Sequence, residues 1–350
     1  MLACGMRDDA LTAALLEGNV AALARAVSIV ENGRAGFEEL LATLHPRLGR
    51  ARRIGLTGPP GAGKSTMTEH LVAAFRTAGH RVAVVAVDPT SPFTGGALLG
   101  DRIRMEAVAL DPGVYIRSMA TRGSLGGLAT ATQEVCDVLD AAGFDRIIVE
   151  TVGVGQSELD VARMADSTVL ILVPESGDGI QTLKSGVIEA ADLLVVNKAD
   201  RPGAEKLRRE LEMSLDLRAG RMSRHGSAHH GALRSGPAPQ AATASGDTPW
   251  RPPVLLTTAA TGEGIDTMVA AIEQHWTWLA ESGTLERRRR SRLAQRTRDV
   301  VERAMHRWVW QESHADEMIL ARLDDVSTGK TSPYDVAAEV VASLKEGARV

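Results

Sequence analysis

Cysteine, aromatic residues and long apolar runs are all scarce in this chain of 350 residues. The two cysteines, Cys4 and Cys136, make neither a disulfide framework nor a zinc-ligand cluster, which favours a reducing cytoplasm. Aromatic residues make up only 3% of the chain, so we expect a core of Val, Ile, Leu and Ala. No stretch approaches the ~20 apolar residues of a membrane span. The start also lacks the features of a signal peptide, so the chain is expected to be soluble.

An excess of charge of one sign is lacking too, because the formal net charge is -4 with both signs spread along the chain. Such a balance provides no global field for holding nucleic acid or anionic lipid. The arginines of the run at 287–298 fall on all sides of a helix, and acidic residues follow them. We interpret this run as a solvated, salt-bridged helix, and we expect neither a nucleic-acid nor a membrane partner.

Short β-branched runs that alternate with helical stretches are the main pattern of the chain. Seven such runs predict strands at residues 52–58, 82–88, 114–118, 146–150, 168–173, 193–197 and 254–258. Strands that alternate with helices predict an α/β fold, with a mainly parallel central sheet that helices cover on both faces.

Helical periodicity also occupies the two ends of the chain. It predicts N-terminal helices within 8–49, with Gly33 as a stop, and further helices from residue 264 onward. Pro333 suits the first turn of the last of them. Between these regions, the stretch at 219–253 is rich in Gly, Ser, Ala, Pro and His and predicts a flexible insertion.

The strongest motif is "GLTGPPGAGKST", which lies between a predicted strand and a predicted helix. It fits G-x-x-x-x-G-K-[ST], whose glycines let backbone N–H groups surround phosphate oxygens while the helix start adds positive charge. Lys64 would bridge the β- and γ-phosphates of a nucleoside triphosphate, and the Ser65 hydroxyl would ligate Mg²⁺. The predicted phosphate-binding residues are Gly58, Pro59, Pro60, Gly61, Ala62, Gly63, Lys64, Ser65 and Thr66.

The residues "NKAD" at 197–200 predict which base is bound. Alone they also fit a polar capping loop, but after a strand and downstream of a phosphate loop they favour guanine. Asp200 would accept two hydrogen bonds, from guanine N1–H and the exocyclic amine, which adenine does not offer. Asn197 would tie this loop toward the phosphate loop, and "TTAATGEG" would supply a loop over the base. The predicted guanine-binding residues are Asn197, Lys198, Asp200, Thr258, Ala259 and Ala260.

Carboxylates near strand ends predict partners for Mg²⁺, which prefers oxygen ligands. Asp88 ends the second predicted strand, Asp101 lies in the glycine-containing segment after it, and Glu150 ends another strand just before Gly153. Each alone fits a helix cap or a surface charge, but together with Ser65 they form a coherent site. The predicted metal ligands are Ser65, Asp88, Asp101 and Glu150.

Eight segments, in order between residues 25 and 265, resemble the MeaB/ArgK family of P-loop GTPases. These are the G-protein chaperones of adenosylcobalamin-dependent acyl-CoA mutases. The segments are "ARAVSIVEN", "GLTGPPGAGKST", "DPTSPFTGGALLGDRIRM", "IRSMATRGSLGGLA", "ETVGVGQSE", "GDGIQTLKSG", "VVNKADRPGA" and "PPVLLTTAATGEGI". The distal "DDVSTGKTSPYDVAAEVV" also resembles the family's C-terminal helical arm. Two departures are the longer insertion at 219–253 and Thr258 in place of the usual serine.

The resemblance implies a GTPase that binds a mutase of the methylmalonyl-CoA mutase type, gates cofactor loading and protects the mutase from inactivation. It implies a homodimer formed through the C-terminal arm, Mg²⁺ bound with GTP, and no cobalamin on this chain itself. The implied catalytic residues are Lys64, Asp101, Glu150 and Lys184, the last in a switch loop that responds to the partner. The predicted domains are a lead-in at 1–50, a P-loop GTPase domain at 51–282 and the arm at 283–350.

Two alternatives remain open at this point. A nickel-insertion GTPase shares the general fold, and the loop histidines His225, His229 and His230 invite the comparison. They lack cysteine partners, so they are a weak metal signal. The other alternative is a protein kinase linked to amino-acid transport, but the sequence shows no acceptor site for the phosphoryl group.

Overall fold

The computed structural model describes residues 10–88, 108, 110–120, 127–151, 157–175, 185–218 and 249–347. The chain forms two compact units, Met1–Arg289 and Arg290–Val350. All strands of the described sheet belong to the first unit. The predicted domain boundaries at residues 50 and 282 stay predictions.

Seven strands form one sheet in the order β3-β2-β4-β1-β5-β6-β7. Every neighbouring pair of these strands is parallel. The strands are β1 (Arg52–Thr57), β2 (Val82–Asp88), β3 (Val114–Ala120), β4 (Arg146–Thr151), β5 (Ser167–Leu172), β6 (Leu193–Val196) and β7 (Val254–Leu256). The α/β fold is therefore confirmed, and each predicted strand has its counterpart.

Described helices follow β1, β3, β4, β5, β6 and β7, and others lie at both ends of the described chain. They are α1 (10–16), α2 (Val20–Glu31), α3 (Phe37–Leu44), α4 (Lys64–Thr77), α5 (Gly127–Ala141), α6 (Ser157–Met164), α7 (Ser185–Ala190), α8 (Ala204–Arg218), α9 (Ile265–Glu281), α10 (Thr284–Arg307), α11 (Ala315–Ser327) and α12 (Pro333–Gly347). A 3-10 turn, His45–Arg47, follows α3, and a π-helical turn, Trp308–Glu312, follows α10. No described helix is long and apolar enough to cross a membrane.

Helices cover both faces of the sheet, as predicted. Along β2, Ala83, Val85 and Val87 face a core shared with α2, α3 and α5. The alternate residues Val82 and Val84 face a second core, shared with α4 and α9. Successive side chains of a strand point to opposite faces, so a continuous apolar run is needed when both faces are buried. That is why these strands read as unbroken β-branched runs.

The N-terminal helices are held by local caps. Asn19 precedes α2, and its Oδ1 accepts a hydrogen bond from the backbone N–H of Ala22 at 3.0 Å. The helix ends at the cap residue Asn32, and Gly33 follows with a φ of 55°. The predicted stop at Gly33 is therefore confirmed, since glycine adopts this left-handed conformation without a steric penalty.

Strand β1 is anchored at its amino end by buried carboxylates of α5. Asp140 accepts the backbone N–H groups of residues 49–51 at 2.8, 3.1 and 2.9 Å. The guanidinium of Arg53 donates to Asp137 at 2.7 Å. These bonds fix the amino end of β1. The position of the strand in turn fixes where residues 58–63, which follow its carboxyl end, begin.

The second unit has a small core of its own, centred on Ala315, Val336 and Val340. Helix α12 begins at Pro333, as predicted. Many large apolar side chains of this unit are exposed, and we call them the apolar arm surface. They are Leu293, Val300, Val301, Met305, Trp310, Leu320, Leu323, Tyr334 and Val341.

Most of the predicted insertion, residues 219–248, lies outside the described residues. Trp250, close to the end of this stretch, makes contacts within the first unit. Its indole N–H donates to the carbonyl of Asp192 at 2.8 Å, and its ring centroid lies 4.7 Å from that of His275. The chain therefore enters β7 from a fixed point.

Candidate functional site

The segments that carry the predicted site residues leave the carboxyl edge of the sheet. The phosphate loop (58–65) follows β1, Glu150 lies near the end of β4, and "NKAD" follows β6. Strand β1 lies between β4 and β5, and β6 pairs with β5. In α/β sheets, ligands bind in the crevice at this edge. The candidate site is therefore centred on the end of β1.

Two glycines of the phosphate loop occupy positions that other residues do not fit. Gly58 has a φ of 143°, and a Cβ there would lie 2.1 Å from the carbonyl oxygen of Ile171. Gly63 has a φ of 91°, and a Cβ there would lie 2.3 Å from Nδ2 of Asn197. The loop thus packs against β5 on one side and against Asn197 on the other.

Lys64 opens helix α4 and is buried. Its ammonium group donates to two carbonyl oxygens of the loop itself, to Gly58 at 2.8 Å and to Pro59 at 3.0 Å. The loop therefore surrounds the ammonium group of Lys64. In a nucleotide complex, phosphate oxygens would replace these carbonyl oxygens as acceptors.

Glu150 is fixed beside the phosphate loop by two hydroxyl groups of α4. The Ser65 hydroxyl donates to Glu150 Oε1 at 2.6 Å, and Thr68 Oγ1 lies 2.8 Å from Glu150 Oε2. Glu150 is 2% exposed, so its carboxylate depends on these partners for solvation. A carboxylate and a serine hydroxyl thus lie together at the start of α4.

Asn197 joins three loops through one side-chain amide. Its Nδ2 donates to the carbonyl of Ala62 in the phosphate loop at 2.8 Å. Its Oδ1 accepts the N–H of Ala259 at 2.9 Å and the hydroxyl of Thr257 at 3.2 Å. The expected link from Asn197 to the phosphate loop is present in the structure. The amide also reaches the loop after β7, which the sequence reasoning did not foresee.

The remaining residues of "NKAD" differ in exposure, because Ala199 packs against a core cluster whereas Lys198 is half-buried and Asp200 is exposed. Lys198 has a φ of 57°, the one left-handed non-glycine residue in the described chain. Such a conformation costs about 1–3 kcal/mol and clusters at ligand sites. Asp200 is exposed. Its carboxylate is therefore accessible to a ligand at this edge.

The base loop (257–264) follows β7 and folds back on itself. The Thr258 N–H donates to the carbonyl of Glu263 at 2.9 Å, and the N–H groups of Thr261 and Gly262 both reach the Thr258 carbonyl at 3.0 Å. Ala259 is buried, while Ala260 is exposed. The loop thus offers a short stretch of backbone next to Asp200, since the N–H of Ala199 bonds to the carbonyl of Thr257 at 3.0 Å.

Several predicted site residues lie beyond what the structure describes. The backbone of Asp88 ends β2, paired with Ala120, but its side chain is outside the described residues. Asp101, Gly153, Lys184 and the three histidines of the insertion are also outside them. Their roles stay predictions.

Two residues of α4 belong to the site geometry but were missed from the sequence. Thr68 lies one helical turn after Lys64, so helical spacing could have placed its hydroxyl on the same face of α4 as Lys64. His70 has its Nε2 2.7 Å from the carbonyl oxygen of Ala259, which is 189 residues away in sequence. No local pattern signals that contact.

A second polar cluster lies at the opposite, amino edge of the sheet. Ser167 Oγ lies 2.8 Å from His275 Nδ1, and His275 Nε2 lies 3.3 Å from Asp192 Oδ1. Burial alone would raise the pKa of Asp192, but the neighbouring His275 and the hydrogen bonds from Arg288 hold it below its usual range. All three members of this Ser-His-Asp arrangement are buried, so no substrate reaches the hydroxyl. The cluster fastens β5, β6, α9 and the start of α10 together.

A protein-family model described as methylmalonyl-CoA mutase-associated GTPase MeaB matches residues 23–314. A Pyrococcus horikoshii protein, provisionally named a GTPase, is 44% identical over 293 residues, which are 84% of this chain and 85% of the relative. The GTPase ArgK of Escherichia coli is 34% identical over 323 residues, 91% of each chain. The mitochondrial methylmalonic aciduria type A homolog of mouse is 36% identical over 300 residues, 81% of this chain and 66% of the relative.

Among solved structures, a crystal structure of a LAO/AO transport system kinase matches with a TM-score of 0.63 and 28% identity. The match covers 97% of both chains. The stretch matched by the family model includes the phosphate loop and the Ser65–Glu150 pair. It also includes Asn197 with its hydrogen bonds to Ala62, Thr257 and Ala259, which we call the Asn197 hub.

Proposed function

The chain belongs to the MeaB family of GTPases, and we propose that it binds and hydrolyses GTP to serve an adenosylcobalamin-dependent acyl-CoA mutase. The mutase would be of the methylmalonyl-CoA mutase type. The GTP cycle would gate cofactor loading and protect the mutase from inactivation, while this chain itself holds no cobalamin. The observation that carries the GTP part is the Asn197 hub, because one buried amide joins the phosphate loop to the base loop.

For nucleotide binding, the phosphates would lie in the phosphate loop and the base beside Asp200. Backbone N–H groups of 58–65 and the start of α4 would contact the phosphates. The exposed carboxylate of Asp200 would accept from guanine N1–H and the exocyclic amine. Lys198 would lie along the base, and the base loop would close over its edge.

The oxygen atoms beside the phosphate loop suit Mg²⁺. Ser65 donates its proton to Glu150, so the lone pairs of the hydroxyl remain available to a cation. Ser65 and Glu150 would hold the ion, with Asp88 and Asp101 as further ligands on the family pattern. When bound, Mg²⁺ would neutralise negative charge on the phosphates.

For hydrolysis, we propose roles for Lys64, Asp101, Glu150 and Lys184. Lys64 would release the loop carbonyls and place its charge on the β- and γ-phosphates. The roles of Asp101 and Lys184 derive from the family resemblance, with Lys184 in a switch loop that responds to the mutase. Hydrolysis would be slow in the isolated protein and faster on the partner.

A homodimer formed by the C-terminal arm is part of the proposal. The apolar arm surface supports it, since nine large apolar side chains of the second unit are more than a third exposed. Large exposed apolar patches mark interaction surfaces in soluble proteins. The dimer and the mutase are the two partners that we propose.

The test has two stages. First, binding of GDP, ADP and XDP is titrated, and guanine preference is expected. Second, phosphate release from GTP is measured alone and with methylmalonyl-CoA or isobutyryl-CoA mutase, and stimulation by one of them is expected. A lack of guanine preference would contradict the whole proposal. Guanine preference without stimulation by any B12-dependent mutase would remove the chaperone role and leave the GTPase. Phosphate recovered on a partner protein instead of in solution would indicate a kinase.

A further inference from the structure

We propose that His70 positions the base loop and thereby sets the affinity of the site for guanine; this inference rests on the proposed function. His70 lies on α4, the helix that Lys64 opens, and it is half-buried. Its Nε2 lies 2.7 Å from the carbonyl oxygen of Ala259. The helix that holds the phosphates is thus bonded directly to the loop that covers the base.

The direction of this hydrogen bond is fixed by chemistry. A carbonyl oxygen only accepts, so Nε2 of His70 must carry the proton and donate it. Nε2 is protonated in one neutral tautomer and in the charged imidazolium. The bond therefore persists whether or not the imidazole is charged.

The backbone of Ala259 is held from two sides. Its N–H donates to Asn197 Oδ1 at 2.9 Å, while its carbonyl accepts from His70. Ala259 is 3% exposed, so its backbone groups have little access to water. The hydrogen bonds to Asn197 and His70 together fix the orientation of both backbone polar groups of Ala259.

The orientation of the Ala259 carbonyl decides where the next N–H points. The peptide group between Ala259 and Ala260 is planar and trans, so its N–H and C=O point in opposite directions. The His70 bond draws the carbonyl toward α4 and consequently directs the Ala260 N–H away from α4. Among the hydrogen bonds of the described residues, none uses the Ala260 N–H. This donor is therefore held in one direction and is available to a ligand.

The turn of the base loop also lies near the imidazole. Gly262 has a φ of 79°, and a Cβ added there would lie 3.5 Å from Cε1 of His70. Glycine leaves this space between the turn and the ring open, so the hydrogen bond to the Ala259 carbonyl is the observed link between His70 and the loop.

A fixed backbone donor discriminates between bases. Guanine presents a carbonyl oxygen at C6, which accepts a hydrogen bond, whereas adenine presents an amine, which donates. An N–H directed at that position favours guanine and leaves an adenine amine unpaired. His70 is thus a positioning residue for base recognition, acting through the peptide group between Ala259 and Ala260.

The experiment compares His70→Leu, which lacks the donor, with His70→Gln, whose amide N–H replaces it. Dissociation constants for GDP and ADP, kcat for GTP and the melting temperature are measured for each variant. We expect His70→Leu to weaken GDP about fivefold, the value of one neutral hydrogen bond of ~1 kcal/mol. The ratio of GDP to ADP affinity should fall by the same factor, and His70→Gln should restore most of the GDP affinity. His314→Leu, at an exposed histidine of the second unit, should match the wild type.

The outcomes separate this inference from the proposed function. If the wild type does not prefer GDP over ADP, the proposed function itself fails. If the wild type prefers GDP and His70→Leu keeps that preference within twofold, only the role of His70 fails. An equal loss of GDP and ADP affinity, or no restoration by His70→Gln, would mean that His70 only supports the fold and would overturn the inference.

Discussion

The hydroxyl of Ser65 donates a hydrogen bond of 2.6 Å to the carboxylate of Glu150. Ser65 lies in the first turn of α4, which follows β1, and Glu150 lies in the neighbouring strand β4. Thr68 completes the arrangement at 2.8 Å from the other carboxylate oxygen. A bound Mg²⁺ would draw Ser65 into its own coordination, and Thr68 would then be the hydroxyl that keeps Glu150 in place.

Thr68→Val tests this division of roles. The variant loses the hydroxyl contact to Glu150, so we expect the Mg²⁺ concentration for half-maximal GTPase rate to rise about fivefold, for the loss of ~1 kcal/mol. Thr77→Val is the matched control, because Thr77 lies on the same helix and its hydroxyl bonds only to the Ala73 carbonyl, at 2.9 Å. Its Mg²⁺ dependence should equal that of the wild type. An equal rise in both variants would contradict the prediction.

Gly63→Ala is expected to destabilise the protein more than Gly61→Ala. Both positions are left-handed, with φ of 91° and 73°, so each substitution costs about 1 kcal/mol of backbone strain. Only at Gly63 would the new Cβ lie 2.3 Å from Nδ2 of Asn197, whereas no atom lies within 4 Å at Gly61. Displacing Asn197 adds roughly 1–3 kcal/mol for its unpaired buried groups. Urea unfolding measures the difference, and equal midpoints for the two variants would contradict the clash.

Asp200→Asn should exchange the preferred base. The amide offers a donor where xanthine presents an oxygen, and it removes one acceptor for the N–H groups of guanine. We expect GTP affinity to fall tenfold or more, XTP affinity to rise, and the melting temperature to stay unchanged because Asp200 is exposed. Competition of GTP and XTP for a fluorescent nucleotide measures the exchange. Unchanged GTP affinity would return "NKAD" to the role of a polar capping loop.

His80 should make stability depend on pH. Burial and the charge of Arg146 lower the pKa of His80 below its ordinary value of 6.5, and its Nε2 accepts from Arg146 Nη2 at 3.1 Å. Below about pH 6.5 the unfolded state therefore binds more protons than the folded state, so the free energy of unfolding falls as pH falls. His80→Gln keeps an acceptor that does not titrate. Urea unfolding at about pH 7.5 and 5.5 should show a smaller fall in the variant. An identical fall would sink the prediction.

The apolar arm surface predicts the oligomeric state. Leu320→Glu with Leu323→Glu places two charges on side chains that are 68% and 52% exposed. We expect the dimer to dissociate at least tenfold more readily, since each buried leucine contributes about 1.5–3 kcal/mol. Asp316→Lys, also exposed on α11, controls for a change of charge. Sedimentation velocity over a concentration series measures the effect. A wild-type monomer, or a double variant that dimerises as the wild type does, would contradict the dimer.

Sequence patterns predicted the strands because a strand with both faces buried needs an unbroken apolar run, as Val82–Asp88 shows. The phosphate loop could also be predicted from the sequence, because its glycines are required by the local backbone conformation, such as the φ of 143° at Gly58. Thr68 and His70 were missed because their partners come from distant parts of the chain. The hydroxyl of Thr68 meets Glu150, 82 residues away, and His70 meets Ala259, 189 residues away.

The sequence by itself determined the order of strands and helices, the phosphate loop and the position of "NKAD" after a strand, because each depends on residues close together in the chain. Only the tertiary structure decided which of these segments touch. Asn197 meets Ala62 across 135 residues and Ser65 meets Glu150 across 85. Both contacts depend on the position of β1 between β4 and β5. That strand order results from packing two apolar faces against helices, a property of the whole sheet that no short segment contains.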